Sequence, residues 1–260
     1  MLIKRASLTL MFTLAAALPA AAQDSWSWRK AVPAGRAIEI KGINGDVSAT
    51  AATGNQVEVI ARKTARRSDT EDVKIEVVEH AGGVTICALY PTPRGERSNE
   101  CLPGARGRSS TRDNDVNVDF EVRVPRGVLL TGRTVNGSVR ATELTADAIA
   151  STVNGSVRVT TTGLAQANTV NGSITVRMGR ANWNDELHFE TVNGAITLEL
   201  PDELNADVSA STVNGSLSSD WPMTVRGRWG PKHMNGKIGN GGRQLALETV
   251  NGDIELRKAN

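Results

Sequence analysis

TVNGSV occupies residues 134–139 and returns unchanged at 152–157. TVNGSI (169–174), TVNGAI (191–196), TVNGSL (212–217), HMNGKI (233–238) and TVNGDI (249–254) follow it, and GINGDV (42–47) stands ahead of it. An Asn-Gly pair between apolar residues is the strongest short signal for a hairpin, whereas a fixed repeat signals a stack of equivalent units. Asn136, Asn154, Asn171, Asn193, Asn214, Asn235 and Asn251 lie 18, 17, 22, 21, 21 and 16 residues apart. A constant hexapeptide with a variable step places the insertions in loops. Periods near 20 belong to repeats that bury their apolar side against their neighbours.

Side-chain parity decides between the two readings. In a two-residue hairpin Val135 would face Ser138 and Thr134 would face Val139, mixing apolar with polar on each face. In a strand that runs straight through, Val135, Gly137, Val139 and Ala141 share one face, as do Val153, Gly155, Val157 and Val159. The alternation favours the straight strand, with each Val pointing inward. In LALETVNGDIEL (245–256) and LHFETVNGAITLEL (187–200) the apolar phase shifts by one at Thr249 and Thr191, just before the motif. Such a slip marks a bend between two inward-facing strands. The reading is all-β: a right-handed parallel β-helix, or β-solenoid, with coils of about 20 residues and a longer-stranded N-terminal part.

The rest of the chain fits around that stack. Residues 73–79, 84–90 and 116–124 alternate as longer strands, and Gly82-Gly83 suits a hairpin between the first two. Residues 36–61 read as a first coil (AIEI, INGDVSA, VEVIA), and 131–257 as seven tight coils. Trp26 and Trp28 in the lead-in are expected to cover the N-terminal end of the stack, as terminal repeats must. Residues 23–260 form one domain.

The chain opens MLIKRASLTLMFTLAAALPAAAQ, with two cations, a short apolar run and small residues up to Ala22. This is the pattern of a secretory signal peptide over residues 1–22. Its apolar run is too short to span a membrane, and no other segment could. Cleavage would remove Lys4 and Arg5 and no acid, lowering the formal charge from +2 to 0. A neutral exported protein has no general electrostatic reason to bind nucleic acid. A periplasmic or secreted location follows. In that oxidising setting the two cysteines, Cys87 and Cys101, read as one disulfide. It would close a loop of about 15 residues, worth roughly 3 kcal/mol in the chain-entropy picture.

The hexapeptides TVNGSV, TVNGSI and TVNGDI, preceded by VDFEVRVPRGVLL (118–130) with its Pro-Arg-Gly at 125–127, resemble the bacterial putative-adhesin domains. The resemblance runs from about residue 36 to 257. It implies an exported, non-catalytic, β-helical protein, similar to the right-handed β-helical heads of autotransporter-like adhesins. The segment PTPRGERSNECLPGARGRSSTRDND (91–115) departs from that pattern.

Catalytic motifs are missing from the sequence: no G-x-S-x-G elbow, H-E-x-x-H, P-loop or dinucleotide fingerprint. His80, His188 and His233 have no recognisable nucleophile or metal partner by spacing, so neither a cofactor nor a metal is expected. Two surfaces remain. Stacked coils would align Asn136, Asn154, Asn171, Asn193, Asn214, Asn235 and Asn251 in one column, either a hydrogen-bonded amide ladder or a polar face for a glycan or protein. The basic loop carries Arg94, Arg97, Arg106, Arg108 and Arg112, either an anion-binding site or a solvated loop pinned by the disulfide. Trp183, Trp221 and Trp229 fall between coils, where they could stack on sugars or anchor loops. The expected role is structural or binding, at the cell envelope. The alternatives are a polysaccharide lyase or hydrolase on the same fold, or an envelope stress or signalling component.

Overall fold

The computed structural model describes residues 24–184, 186–227 and 230–259. The segment read as a signal peptide and Trp229 lie outside the described residues. The N-terminal part holds β1 (Asp24–Lys30), β2 (Ala37–Lys41), β3 (Val47–Ala51), β4 (Val57–Thr64), β5 (Lys74–His80), β6 (Gly83–Leu89) and β7 (Asn117–Val124). The middle holds β8 (Leu129–Arg133), β9 (Val139–Leu144), β10 (Ala148–Ser151), β11 (Val157–Thr161), β12 (Ala165–Asn168), β13 (Ile174–Met178), β14 (Leu187–Glu190) and β15 (Ile196–Leu200). The C-terminal part holds β16 (Ala206–Asn214), β17 (Leu217–Ser219), β18 (Thr224–Arg226), β19 (Lys232–Ile238), β20 (Gln244–Asn251) and β21 (Ile254–Lys258). The one described helical turn is a single 3₁₀ turn at Thr70–Asp72.

These strands make two sheets. Sheet I runs β1-β4-β7-β3-β9-β11-β13-β15-β21-β17, and sheet II runs β18-β19-β16-β20-β14-β12-β10-β8-β2-β6-β5. Each tight coil climbs one strand of sheet II, turns through Asn-Gly, continues along one strand of sheet I and returns by a loop. Coil neighbours pair in parallel, as in β9–β11–β13–β15 and β8–β10–β12–β14. The molecule is therefore a flattened β-solenoid whose repeat sets the strand spacing.

The period-2 pattern creates the core. Ala148 and Ala150, Ala165 and Ala167, and Leu187 and Phe189 point inward from sheet II; Val157 and Val159, Ile174 and Val176, and Ile196 and Leu198 point inward from sheet I. Each fully buried Val, Leu or Ile contributes about 1.5–3 kcal/mol relative to exposure. Single coils cannot shield both faces, so the ends are closed differently. At one end β6 and β7 form a further coil in which the whole segment 90–116 replaces the tight corner. Beyond it, β5 pairs antiparallel with β6, β4 pairs antiparallel with β7, and β1 pairs antiparallel with β4. Residues 57–61, read as part of the first coil, belong to this antiparallel closure. Trp26 and Trp28 of β1 pack half-buried against the core there.

The other end is not built in chain order. After β15 the chain skips a position: β16 and β17 form the last coil, and β18 and β19 cap β16 antiparallel. Only then do β20 and β21 fill the gap, β20 between β14 and β16 and β21 between β15 and β17. Six tight corners lie within residues 131–257, one fewer than the seven expected. HMNGKI is not a corner: Asn235 pairs antiparallel with Ser209 and Thr224.

Candidate functional site

The repeated corner is built by four side chains with separate tasks. Its Thr turns inward: Thr134, Thr152, Thr169, Thr191, Thr212 and Thr249 are all buried. A buried hydroxyl needs a partner, and each finds the Gly carbonyl of the adjacent coil. Thr152 Oγ1 donates to Gly137 O at 2.7 Å, and Thr191 and Thr249 donate to Gly172 O and Gly194 O at 2.9 Å. The following Val turns away from the core at most corners, although Val135 still packs half-buried against it. Val153, Val170, Val213 and Val250 are 38–40% exposed, which corrects the inward placement drawn from parity. The phase slip lies inside the motif and not before it, because the satisfied Thr can enter the core and the chain bends after it.

The Asn side chains form an amide ladder at the corner. In stack order it runs Asn44, Asn136, Asn154, Asn171, Asn193, Asn251, Asn214, and each Nδ2 donates to the preceding Oδ1 at 2.7–2.9 Å. Asn251 is thus interior, and Asn214 closes the ladder. Asn235 stands outside it, which corrects its place in the column. Tyr90 lies at the opposite end, where its hydroxyl donates to Val116 O at 2.8 Å and accepts from Asn44 N. Burial pushes that hydroxyl up to about 12. The Gly is required by close approach: a Cβ on Gly155 would fall 2.1 Å from Gly137 O, and one on Gly194 2.0 Å from Gly172 O. The next position also binds across coils, since Ser138 Oγ accepts the Ser156 N–H and Asp46 Oδ1 accepts the Ser138 N–H.

The segment 91–115 folds onto the outer face of sheet II. Cys87 and Cys101 are joined by a disulfide, their Cα atoms 5.8 Å apart. Beneath the loop, Lys41 Nζ donates to the carbonyls of Leu102, Gly104 and Arg106. Glu39 Oε2 accepts from Thr85 Oγ1 and Gly104 N, both at 2.9 Å, with Arg133 Nε 3.4 Å from Oε1. Burial lowers the Lys41 pKa, and the Glu39 carboxylate works against that shift. Spacing alone could not reveal this charged cluster, because Arg133 joins Glu39 and Lys41 only through parallel register. Arg94, Arg97, Arg106, Arg108 and Arg112 are all exposed around the loop, and Arg112 lies 3.8 Å from Glu96.

Elsewhere sheet II carries a cleft of about 840 Å³. Its floor includes Thr131, Ile149 and Gln166, and residues 180–184 overhang it, held by Arg180 at 3.1 Å from Asp147. Trp183 and Trp221 are buried loop anchors: Trp183 Nε1 donates to Gln244 O at 3.1 Å, and Lys258 Nζ sits 5.7 Å over the Trp221 ring. The fold also joins acids distant in sequence, with Glu190 beside Glu248 and Asp119 accepting from Asp46 N. His188 lies 3.4 Å from Glu190. No group of three or more His, Cys, Asp or Glu suited to a metal occurs among the described residues.

Fold and corner together define a β-solenoid whose repeated motif is consumed in joining coils, leaving broad polar sheet faces outward. The chain matches the Toastrack DUF4097 family over residues 31–257, and it belongs to that family. Two solved structures are similar to it. One is a putative cell adhesion protein from Clostridium sporogenes, 12% identical, with a TM-score of 0.47, covering 91% of this chain and 100% of that one. The other is a putative adhesin from Bacteroides fragilis, 12% identical, with a TM-score of 0.39, covering 90% of this chain and 97% of that one. No curated protein matches the sequence. No helix among the described residues is long and apolar enough to cross a membrane.

Proposed function

We propose that this chain is an exported, non-catalytic β-solenoid with a structural or binding role at the cell envelope, adhesin-like in the sense its resemblance implies. The observation that carries the reading is the use of the motif. Thr, Asn and Gly of each tight corner, with Ser or Asp at most of them, bind the next coil, so repetition serves rigidity, and recognition falls to the flat faces. A rigid face holds its side chains in place and reduces the ordering cost of binding. The N-terminal residues 1–22 support export by composition.

Fractionation of the native host tests the location, and an array of envelope glycans and proteins tests the binding role. We expect a cleaved chain outside the cytoplasm and saturable binding to an array member. An uncleaved cytoplasmic chain would overturn export. Turnover of a polysaccharide by the purified chain would overturn the non-catalytic reading.

A further inference from the structure

The outer face of sheet I is unusual in composition between β3 and β13. Its outward residues are Ser48 and Thr50, Arg140 and Thr142, Arg158 and Thr160, Thr175 and Arg177. All of these are Ser, Thr or Arg, and the one exposed acid of the block is Glu143, at the irregular end of β9. Parallel register sets Arg140 directly beside Arg158, with Ser48 on one flank and Thr175 on the other. Neighbouring strands lie roughly 4.8 Å apart, so the two guanidiniums project side by side. Like charges directly opposite one another destabilise a sheet.

Among the described residues no acid is paired with these two arginines. Glu121 binds Arg62, Glu199 faces Arg177, and Glu255 binds Arg257. Asp46 is taken by the Ser138 N–H. Glu143 stands exposed where the β9–β11 register shifts, without an ion pair to either arginine among the described residues. Arg140 and Arg158 are exposed and form no ion pair or side-chain hydrogen bond among the described residues. Thr fills the equivalent outward positions of β13 and β15, so the strand itself does not demand arginine.

We infer that Arg140 and Arg158 form an oxyanion-binding step for an acidic polysaccharide laid across sheet I. The inference rests on the proposed binding role and names its ligand class. Two adjacent guanidiniums offer paired N–H donors to carboxylate or phosphate oxygens. The surrounding Ser and Thr hydroxyls both donate and accept, which suits sugar hydroxyls. A lipid surface or an apolar peptide would find no outward apolar residue to bury against in this block.

The test uses the mature chain against immobilised polygalacturonate, its methyl ester, a phosphorylated mannan, neutral dextran and phosphatidylglycerol vesicles. The two acidic glycans separate carboxylate from phosphate as the source of the anion. Arg140→Gln/Arg158→Gln should weaken acidic-glycan binding by about tenfold or more, with binding also falling as salt rises. Arg94→Gln/Arg97→Gln, on the loop over the opposite sheet, should leave it unchanged. Removing the adjacent arginines relieves their repulsion, so the Arg140→Gln/Arg158→Gln melting curve should not fall below the parent's, and a loss of binding is then not a loss of fold. Equal binding by the two double variants, loss only in the loop variant, or preference for the vesicles would each overturn the inference. Binding of dextran or an envelope protein without acidic glycan would overturn it while leaving the broader role standing. Binding of nothing in the envelope array would overturn both.

Discussion

Asn-Gly occurs both at Asn193-Gly194 and at Asn235-Gly236, and the two sites share almost nothing else. At 193 the pair forms a parallel corner, its amide bonded to coils on both sides. At 235 the pair lies inside β19, antiparallel to β16 and β18, with Met234 buried beneath it. The residue two before the Asn separates them: a buried Thr191 in one, an exposed His233 in the other. Only the Thr can enter the core and supply the Gly carbonyl with a donor. Asn-Gly permits a corner, and Thr commits the chain to one.

The largest effect should come from adding one methyl group at the two kinds of glycine. Gly155→Ala places a Cβ 2.1 Å from a backbone oxygen of the next coil, so a whole coil must shift. We expect a loss of more than about 2 kcal/mol, read as a urea midpoint. Gly236→Ala meets Met223 Sδ, the flexible part of a long side chain. It should cost under about 1 kcal/mol, because Met can turn aside. Equal losses would erase the distinction between corner and strand.

Next is the buried hydroxyl. Thr191→Val keeps the shape but strips Gly172 O of its side-chain donor, which argues for a loss of about 1–3 kcal/mol. A neutral Thr191→Val would show that the Thr–Gly bond is not what selects the corner.

Smaller effects should follow the amide ladder. Asn193→Ala interrupts bonds to Asn171 and Asn251, but the amides are exposed and water can replace them. About 0.5–1.5 kcal/mol is expected for this interior member. Asn214→Ala, at the end of the ladder, should cost less, and Asn235→Ala should stay within about 0.5 kcal/mol. A denaturant series over the column and Asn235 measures the gradient, and a flat series would remove the ladder as a source of stability.

The smallest effect is electrostatic. The Ser216 hydroxyl and N–H both donate to Asp253, lowering its carboxyl pKa below 3.8. A depressed folded-state pKa contributes stability that is present above the unfolded value and lost as pH falls through the folded one. The loss therefore begins below about pH 4. Asp253→Asn should flatten the acid limb of a urea midpoint series slightly. Asp115, held at about 2 chiefly by the Ser68 N–H, stays in both proteins, so the difference isolates Asp253. An unchanged limb would show that Asp253 gains nothing from Ser216.

Much of the fold was legible because a solenoid repeats its physics in its letters. The alternation in VRVTT and ITVRM marks inward and outward sides, and the varying step marks loops. The site was less legible. Parity counted Val153 as inward because it weighs only hydrophobicity, and it could not register that a bonded Thr152 is the better core residue. Arg140 and Arg158 lie eighteen positions apart, one repeat step in TVNGSVR, so the repeat could align them, but it could not show that no acid pairs with them in the fold.

The sequence by itself determined the coil: two short strands, an Asn-Gly bend, and a glycine that only a close neighbour requires. Each of these follows from interactions spanning a few residues or one repeat. Tertiary structure alone decided the order of the stack. TVNGSL and TVNGDI are nearly equivalent hexapeptides, and either could follow the coil at Asn193. The antiparallel cap of β18 and β19 on β16 occupies the outer side of that coil. The last segment can then pair only in the gap left between β14 and β16. That choice depends on which strand edges remain open once the cap has formed, and no local pattern records it.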